Sequence, residues 1–260
     1  MVDAAPTSLP ATPSFRLDGR RALVTGAGRG IGAAMASALA DAGAEVILAA
    51  RTTTEVEAVS AAIAERGGRS APLNLDVTNI ARAREILAAQ PAFHILVSNA
   101  GTNRPKPFAE VSEDDYSAVV DLNLKASFFV SQTVAKRMAD EGIQGSIIFM
   151  SSQMGHVGAP NRTLYCASKH AIEGLMKAMA IELGPQGIRI NTIAPTFIET
   201  PMTRPFLQDP AFTQSVLSKI RLGRLGRVED LMGAVVYLAS DASALVTGTS
   251  LVIDGGWTAG

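Results

Sequence analysis

The sequence predicts one doubly wound α/β domain, a parallel sheet of about seven strands with helices on both faces. Three observations carry this. Short β-branched runs alternate with longer Ala/Leu-rich stretches along nearly the whole chain. Most of these runs are continuously apolar, as parallel strands covered on both faces should be. A glycine-rich turn joins the first run to the first helical stretch. No solenoid repeat and no linker divides the chain. Residues 15–260 therefore read as a single domain, preceded by a mobile Pro/Ala-rich arm over 1–14.

In order, the expected strands are ALVT (22–25), EVILAA (45–50), APLNLDV (71–77), HILVSN (94–99), SIIFMS (146–151), IRINTIA (188–194) and SLVID (250–254). Helical stretches fill the gaps at 31–42, 55–66, 79–89, 113–140, 164–183 and 228–239. The segment after Pro195 is proline-rich and lacks one period, so a lid is expected near 196–220.

Composition narrows the function. Apolar residues make up 47% and charged residues 18%, which suits a packed globular core. A formal net charge of −1 offers no field for nucleic acid or an anionic membrane. No run reaches the roughly 18 apolar residues of a membrane span. The N-terminus does not read as a secretion signal. The single cysteine, Cys166, forbids an intrachain disulfide and fits a reducing cytoplasm. It reads as a small buried filler. No metal site is expected.

The turn is TGAGRGIG, residues 25–32. Gly26, Gly28 and Gly30 let the backbone turn tightly and approach a phosphate. With Ile31, the helix start favours that negative charge, so a dinucleotide is the expected ligand. The second strand ends Ala50-Arg51, with no acid at its tip to take a ribose hydroxyl. Arg51 and Arg29 could instead clamp a 2′-phosphate, which favours NADP, with NAD possible. Asp76, with Val77 beside it, is a candidate for the adenine edge; a helix cap is the alternative role for Asp76. Later in the chain, Tyr165 and Lys169 stand four residues apart in TLYCASKH, on one helix face.

Together these residues resemble the short-chain dehydrogenase/reductase family over residues 17 to 257. The glycine turn is similar to its Thr-Gly-x-x-x-Gly-x-Gly motif. Asn99, Ala100 and Gly101 in SNAG resemble the end of its fourth strand, with Ser98 replacing an Asn. Ser152, thirteen residues before Tyr165, and Tyr-Cys-Ala-Ser-Lys resemble its catalytic motifs, and Asn123 sits where the family has a catalytic Asn. The usual Pro-Gly after the sixth strand is Pro195-Thr196 here. Ile198 and Thr200 still match nicotinamide-binding positions.

The resemblance implies an NADP(H)-dependent oxidoreductase of the Rossmann type that interconverts a secondary alcohol and a ketone. Tyr165 would be the acid/base. An ordinary tyrosine titrates near 10, so Lys169 is expected to lower it and to bind the nicotinamide ribose. Ser152 would polarise the substrate oxygen. Asn123 would hold a water that relays protons. The substrate wall is expected to include Ser152, Gln153, Tyr165 and Phe197, with further polar candidates His156, Asn161, Arg162 and Arg204. His156 and Arg162 read first as solvated loop residues. Met154, Met202, Phe206 and Leu207 are the apolar candidates. The chain is similar to sugar and sugar-acid dehydrogenases such as those acting on gluconate, and to 3-oxoacyl thioester reductases. A non-catalytic dinucleotide sensor is the remote alternative. The family also implies a homotetramer or homodimer, joined through the helices near 113–140 and 164–183 and the C-terminal strand.

Overall fold

The computed structural model describes residues 9–260. Residues 1–8 of the expected arm lie outside the described residues, while residues 9–14 are exposed and carry neither helix nor strand. The strands are β1 (Arg21–Thr25), β2 (Glu45–Ala50), β3 (Arg69–Asn74), β4 (Ile95–Ser98), β5 (Ser146–Met150), β6 (Arg189–Pro195) and β7 (Ser250–Ile253). They form one seven-stranded sheet in the order β3-β2-β1-β4-β5-β6-β7. Every neighbouring pair is parallel.

Both faces of the sheet are covered, which is why the strands read as continuous apolar runs. Ala22 and Val24 of β1 face one core, and Leu23 between them faces the other. The first core receives Met35 and Leu39 of α1 (Gly30–Asp41), Val56 and Ile63 of α2 (Thr53–Glu65), and Val235 and Leu238 from 229–239. The second receives Leu87 of α3 (Ile80–Ala88) and Val134 and Met138 from 127–140. It also receives Ile172 and Met176 of the helix that carries Tyr165.

Three expectations shift. β3 ends at Asn74 rather than 77, because its ladder stops where β2 stops, at the Ala50–Asn74 pair. β3 is an edge strand, so Pro72 is tolerated and its side chains are only partly covered. Asp76 therefore lies beyond the strand. The stretch 113–140 is not one regular helix. It comprises α4 (Glu113–Val120), a wide π turn over Asp121–Ala126, and α5 (Ser127–Asp140). A reciprocal Ser112–Asp115 capping box starts α4. The π turn falls where Asn123 is tied to two other parts of the chain, and such turns favour functional sites.

The segment after β6, where a lid is expected, carries two short helices. It holds α7 (Arg204–Leu207) and α8 (Pro210–Leu217), after the long helix α6 (Thr163–Leu183) and before α9 (Glu229–Ala239). Thr203 Oγ1 donates to the Ile198 carbonyl at 2.6 Å and anchors its start. Asp209 caps α8 by accepting from the Ala211 N–H at 2.9 Å. No helix among the described residues is long and apolar enough to cross a membrane.

Candidate active site

Strand order reverses between β1 and β4, and ligand clefts of open parallel sheets form at that point. A cavity of about 310 Å³ opens there, within the range of small-molecule sites. All the residues expected to hold a dinucleotide line it, from Gly26 at one end to Thr200 at the other.

The glycine turn is built for close approach. A Cβ on Gly32 would stand 2.1 Å from the Gly26 carbonyl oxygen and 2.6 Å from Asn99 Nδ2. Gly26 itself has φ +64°, a left-handed conformation that glycine adopts freely. Asn99 ties the turn to β4, donating from Nδ2 to the carbonyls of Thr25 (3.0 Å) and Gly26 (3.2 Å). Thr25 Oγ1 accepts from the Asn99 and Ala100 N–H groups. The first turn of α1 faces the cavity without an acidic side chain, so its free N–H groups and dipole suit a pyrophosphate.

At the end of the cavity beside β2, Arg51 is exposed, and Arg29 pairs with Glu55 at 3.4 Å. Thr52, the N-cap of α2, makes no side-chain cap bond and lines the same rim. Thr52 and Glu55 were not among the expected site residues. Their Thr-x-x-Glu spacing directly after the second strand, a helix-start signature, could have found them. Asp76 lies at the rim. Burial raises its carboxyl pKa, but hydrogen bonds from the Thr78 hydroxyl and N–H, with the nearby Arg51 charge, hold it below the usual value.

Ser152, Tyr165 and Lys169 line the opposite end. Lys169 is buried; its Nζ donates to the Met150 carbonyl at 2.6 Å and lies 5.5 Å from the Tyr165 ring centroid. Burial lowers the lysine from 10.5 to about 8, with Glu173 pulling the other way. Tyr165 departs from expectation. Burial pushes its phenol above 10, opposed by the Ser152 hydroxyl and by Arg162 rather than by Lys169. Burial likewise raises the thiol of Cys166, a free and half-buried cysteine, so it favours no thiolate chemistry.

Asn123 does not reach the cavity wall. Its Nδ2 donates to the Thr102 carbonyl (2.9 Å) and to Ser168 Oγ (3.1 Å), and its Oδ1 accepts from the Thr102 N–H (2.8 Å). Both amide hydrogens are used, so the side chain acts as a clamp between the 99–102 loop and α6.

Gln153 and Phe197 of the expected substrate wall, and the further candidate His156, do not line this cavity. Gln153 is buried behind Ser152 and accepts its hydroxyl proton at 2.7 Å. Phe197 stacks on Trp257 (5.9 Å between centroids) and meets Phe212 edge-on. His156 turns away to Ser250 Oγ, 2.9 Å, beside Glu173. Met202 and Thr203 of the lid do line the cavity, whereas Arg204 is exposed and does not. Arg162 is buried, contrary to the solvated reading.

Comparison with known proteins fits this geometry. The family profile described as enoyl-(acyl carrier protein) reductase matches residues 26–258. D-erythrulose reductase of Gallus gallus is 39% identical over 245 residues, 94% of this chain and 98% of that protein. Gluconate 5-dehydrogenase of Gluconobacter oxydans is 38% identical over 248 residues, 94% of this chain and 96% of that protein. The crystal structure of a gluconate 5-dehydrogenase from Burkholderia cenocepacia, in complex with NADP and tartrate, superposes with a TM-score of 0.91 at 37% identity. That match covers 95% of this chain and 98% of the other. A parallel sheet with a glycine cradle at its switch point, a Ser-Tyr-Lys group facing it, and full-length likeness to these enzymes make this chain a member of the short-chain dehydrogenase/reductase family.

Proposed function

We propose that this chain is an NADP(H)-dependent oxidoreductase that interconverts a secondary alcohol and a ketone in a sugar, polyol or sugar acid. The observation that carries the reading is one cavity walled at one end by the glycine turn with Arg29 and Arg51, and at the other by Ser152, Tyr165 and Lys169. The absence of an acid at the tip of β2, with two guanidiniums at that rim, supports NADP over NAD. The relative crystallised with NADP supports the same choice.

When bound, the dinucleotide supplies or accepts the hydride. Tyr165 donates its phenolic proton to the nascent alkoxide in reduction, and takes the proton back in oxidation. Its raised pKa keeps that proton in place at neutral pH, which suits reduction. Lys169, charged below about pH 8, holds its ammonium beside the ring. Ser152 offers its hydroxyl to the substrate oxygen by exchanging its bond to Gln153. Asn123 is a positioning residue that ties the loop after β4 to the helix bearing Tyr165.

The curated relatives that act on erythrulose and gluconate favour a polyhydroxylated substrate over a 3-oxoacyl thioester. We also infer a cytoplasmic homo-oligomer. The exposed Phe128 on α5, Ile181 on α6 and Val252 on β7 would be covered in such an assembly. The test of the reading is NADPH oxidation with keto-sugar acids, neutral ketoses and a 3-oxoacyl thioester in parallel, each repeated with NADH. Turnover of the sugars with NADPH is expected; turnover confined to the thioester, or equal rates with NADH, would overturn it.

A further inference from the structure

The carboxylate of Glu55 lies against the glycine turn. Its Oε1 accepts from Arg29 Nη1 at 3.4 Å, and its Oε2 stands 2.7 Å from the point that a Cβ on Gly28 would occupy. Gly28, Arg29 and Glu55 all line the cavity, with Arg51 and Thr52 beside them. One of the two guanidiniums assigned to a 2′-phosphate therefore already carries an anion of the chain's own. Asp76, the other carboxylate at this rim, is committed elsewhere. Thr78 donates to its Oδ1 from the hydroxyl at 2.6 Å and from the N–H at 2.9 Å.

Glu55 is diverted from the bond that its position favours. It is the third residue of α2 after the N-cap Thr52, the place from which a carboxylate reaches back to the N-cap N–H. α4 closes such a box, with Ser112 and Asp115. α2 does not: Thr52 makes no side-chain cap bond, and among the described residues Glu55 bonds Arg29 instead. The carboxylate thus has two alternative partners, Arg29 and the Thr52 N–H, and rotation of its own side chain exchanges them.

Building on the NADP reading above, we propose that Glu55 is a specificity-determining residue that restrains NADP affinity. Its carboxylate competes with the 2′-phosphate for Arg29, and turns to the Thr52 N–H when that phosphate binds. NAD carries no 2′-phosphate and leaves the Arg29–Glu55 pair in place, so the residue narrows the gap between the two cofactors. The side chains of Arg29 and Glu55 are 71% and 35% exposed, so the pair is weak and the effect is several-fold rather than hundredfold.

The test measures dissociation constants of NADPH and NADH by nicotinamide fluorescence for wild type, Glu55→Gln, Arg29→Met and the double variant. Glutamine can still accept from the Thr52 N–H but carries no charge, so the substitution removes the competition and keeps the cap. Glu55→Gln should tighten NADPH about fivefold and leave NADH within about twofold. With Arg29→Met already present, the gain for NADPH should fall to about twofold or less, since no pair is left to break. Equal tightening of both cofactors would make Glu55 a general source of repulsion and overturn the proposal. Weaker NADPH binding in Glu55→Gln would make the residue a support that orients Arg29, and would overturn it too. So would a gain that persists in full without Arg29, or an Arg29→Met variant that treats the two cofactors alike. If Arg51→Ala also treats them alike, the NADP reading falls with it.

Discussion

Lys169→Met should make the fold more stable at neutral pH while removing turnover. The wild-type amine titrates near 10.5 in the unfolded chain and near 8 when buried. Below pH 8 both states hold the proton, and burial of the charge penalises the fold in full. Between those values the unfolded chain binds more protons, so stability rises with pH, and above 10.5 the penalty is gone. At about 1.36 kcal/mol per pH unit, the difference is about 3 kcal/mol. The attraction of Glu173 is already contained in that figure. Methionine fills a similar volume but gives up the 2.6 Å bond to the Met150 carbonyl, a loss of about 1 kcal/mol. The variant should therefore be about 2 kcal/mol more stable than wild type at pH 7, and about 1 kcal/mol less stable near pH 11. Urea unfolding of both proteins from pH 6 to 11 measures the difference. Tyr165 also titrates at high pH, but it is present in both proteins and largely cancels. A variant less stable at pH 7, or a difference that does not change with pH, would refute the reasoning.

Three further outcomes are expected. Tyr165→Phe should lose about 100-fold or more in kcat, with NADPH affinity by fluorescence titration within about threefold; unchanged turnover would remove its acid/base role. Arg51→Ala should weaken NADPH binding about tenfold or more and leave NADH nearly unaffected, because only NADPH carries the 2′-phosphate; equal loss for both would assign Arg51 elsewhere. Gly32→Ala should destabilise the fold by about 3 kcal/mol in chemical denaturation, since its Cβ would meet the Gly26 carbonyl and Asn99 Nδ2; an unchanged midpoint would show that the turn has room.

The fold class and most of the cofactor end of the cavity are legible in the amino-acid sequence, because both depend on local pattern. Continuous apolar runs separated by helical stretches specify covered parallel strands, as Ala22, Leu23 and Val24 illustrate by facing alternate cores. Glycines at fixed offsets specify a tight turn, and a spacing of four aligns Tyr165 with Lys169 on one helix. Thr52 and Glu55 are equally local, but their spacing signals only that a helix starts there, not that its start faces the cavity.

Other features depend on what distant segments bring to a residue, and spacing carries no record of that. Asn123 became a clamp because the 99–102 loop and α6 both meet it in the π turn. Gln153 bonds Ser152 and Phe197 stacks on Trp257, and neither lines the cavity. The phenol of Tyr165 rose where a lysine neighbour suggested a fall, because burial outweighs the other influences on it. The sequence by itself determined the sheet, the glycine cradle and the presence of a tyrosine and lysine on one face. Only the tertiary structure decided that Arg162 is buried without a partner beneath the lid, since burial and pairing belong to the packed surroundings and not to the residue.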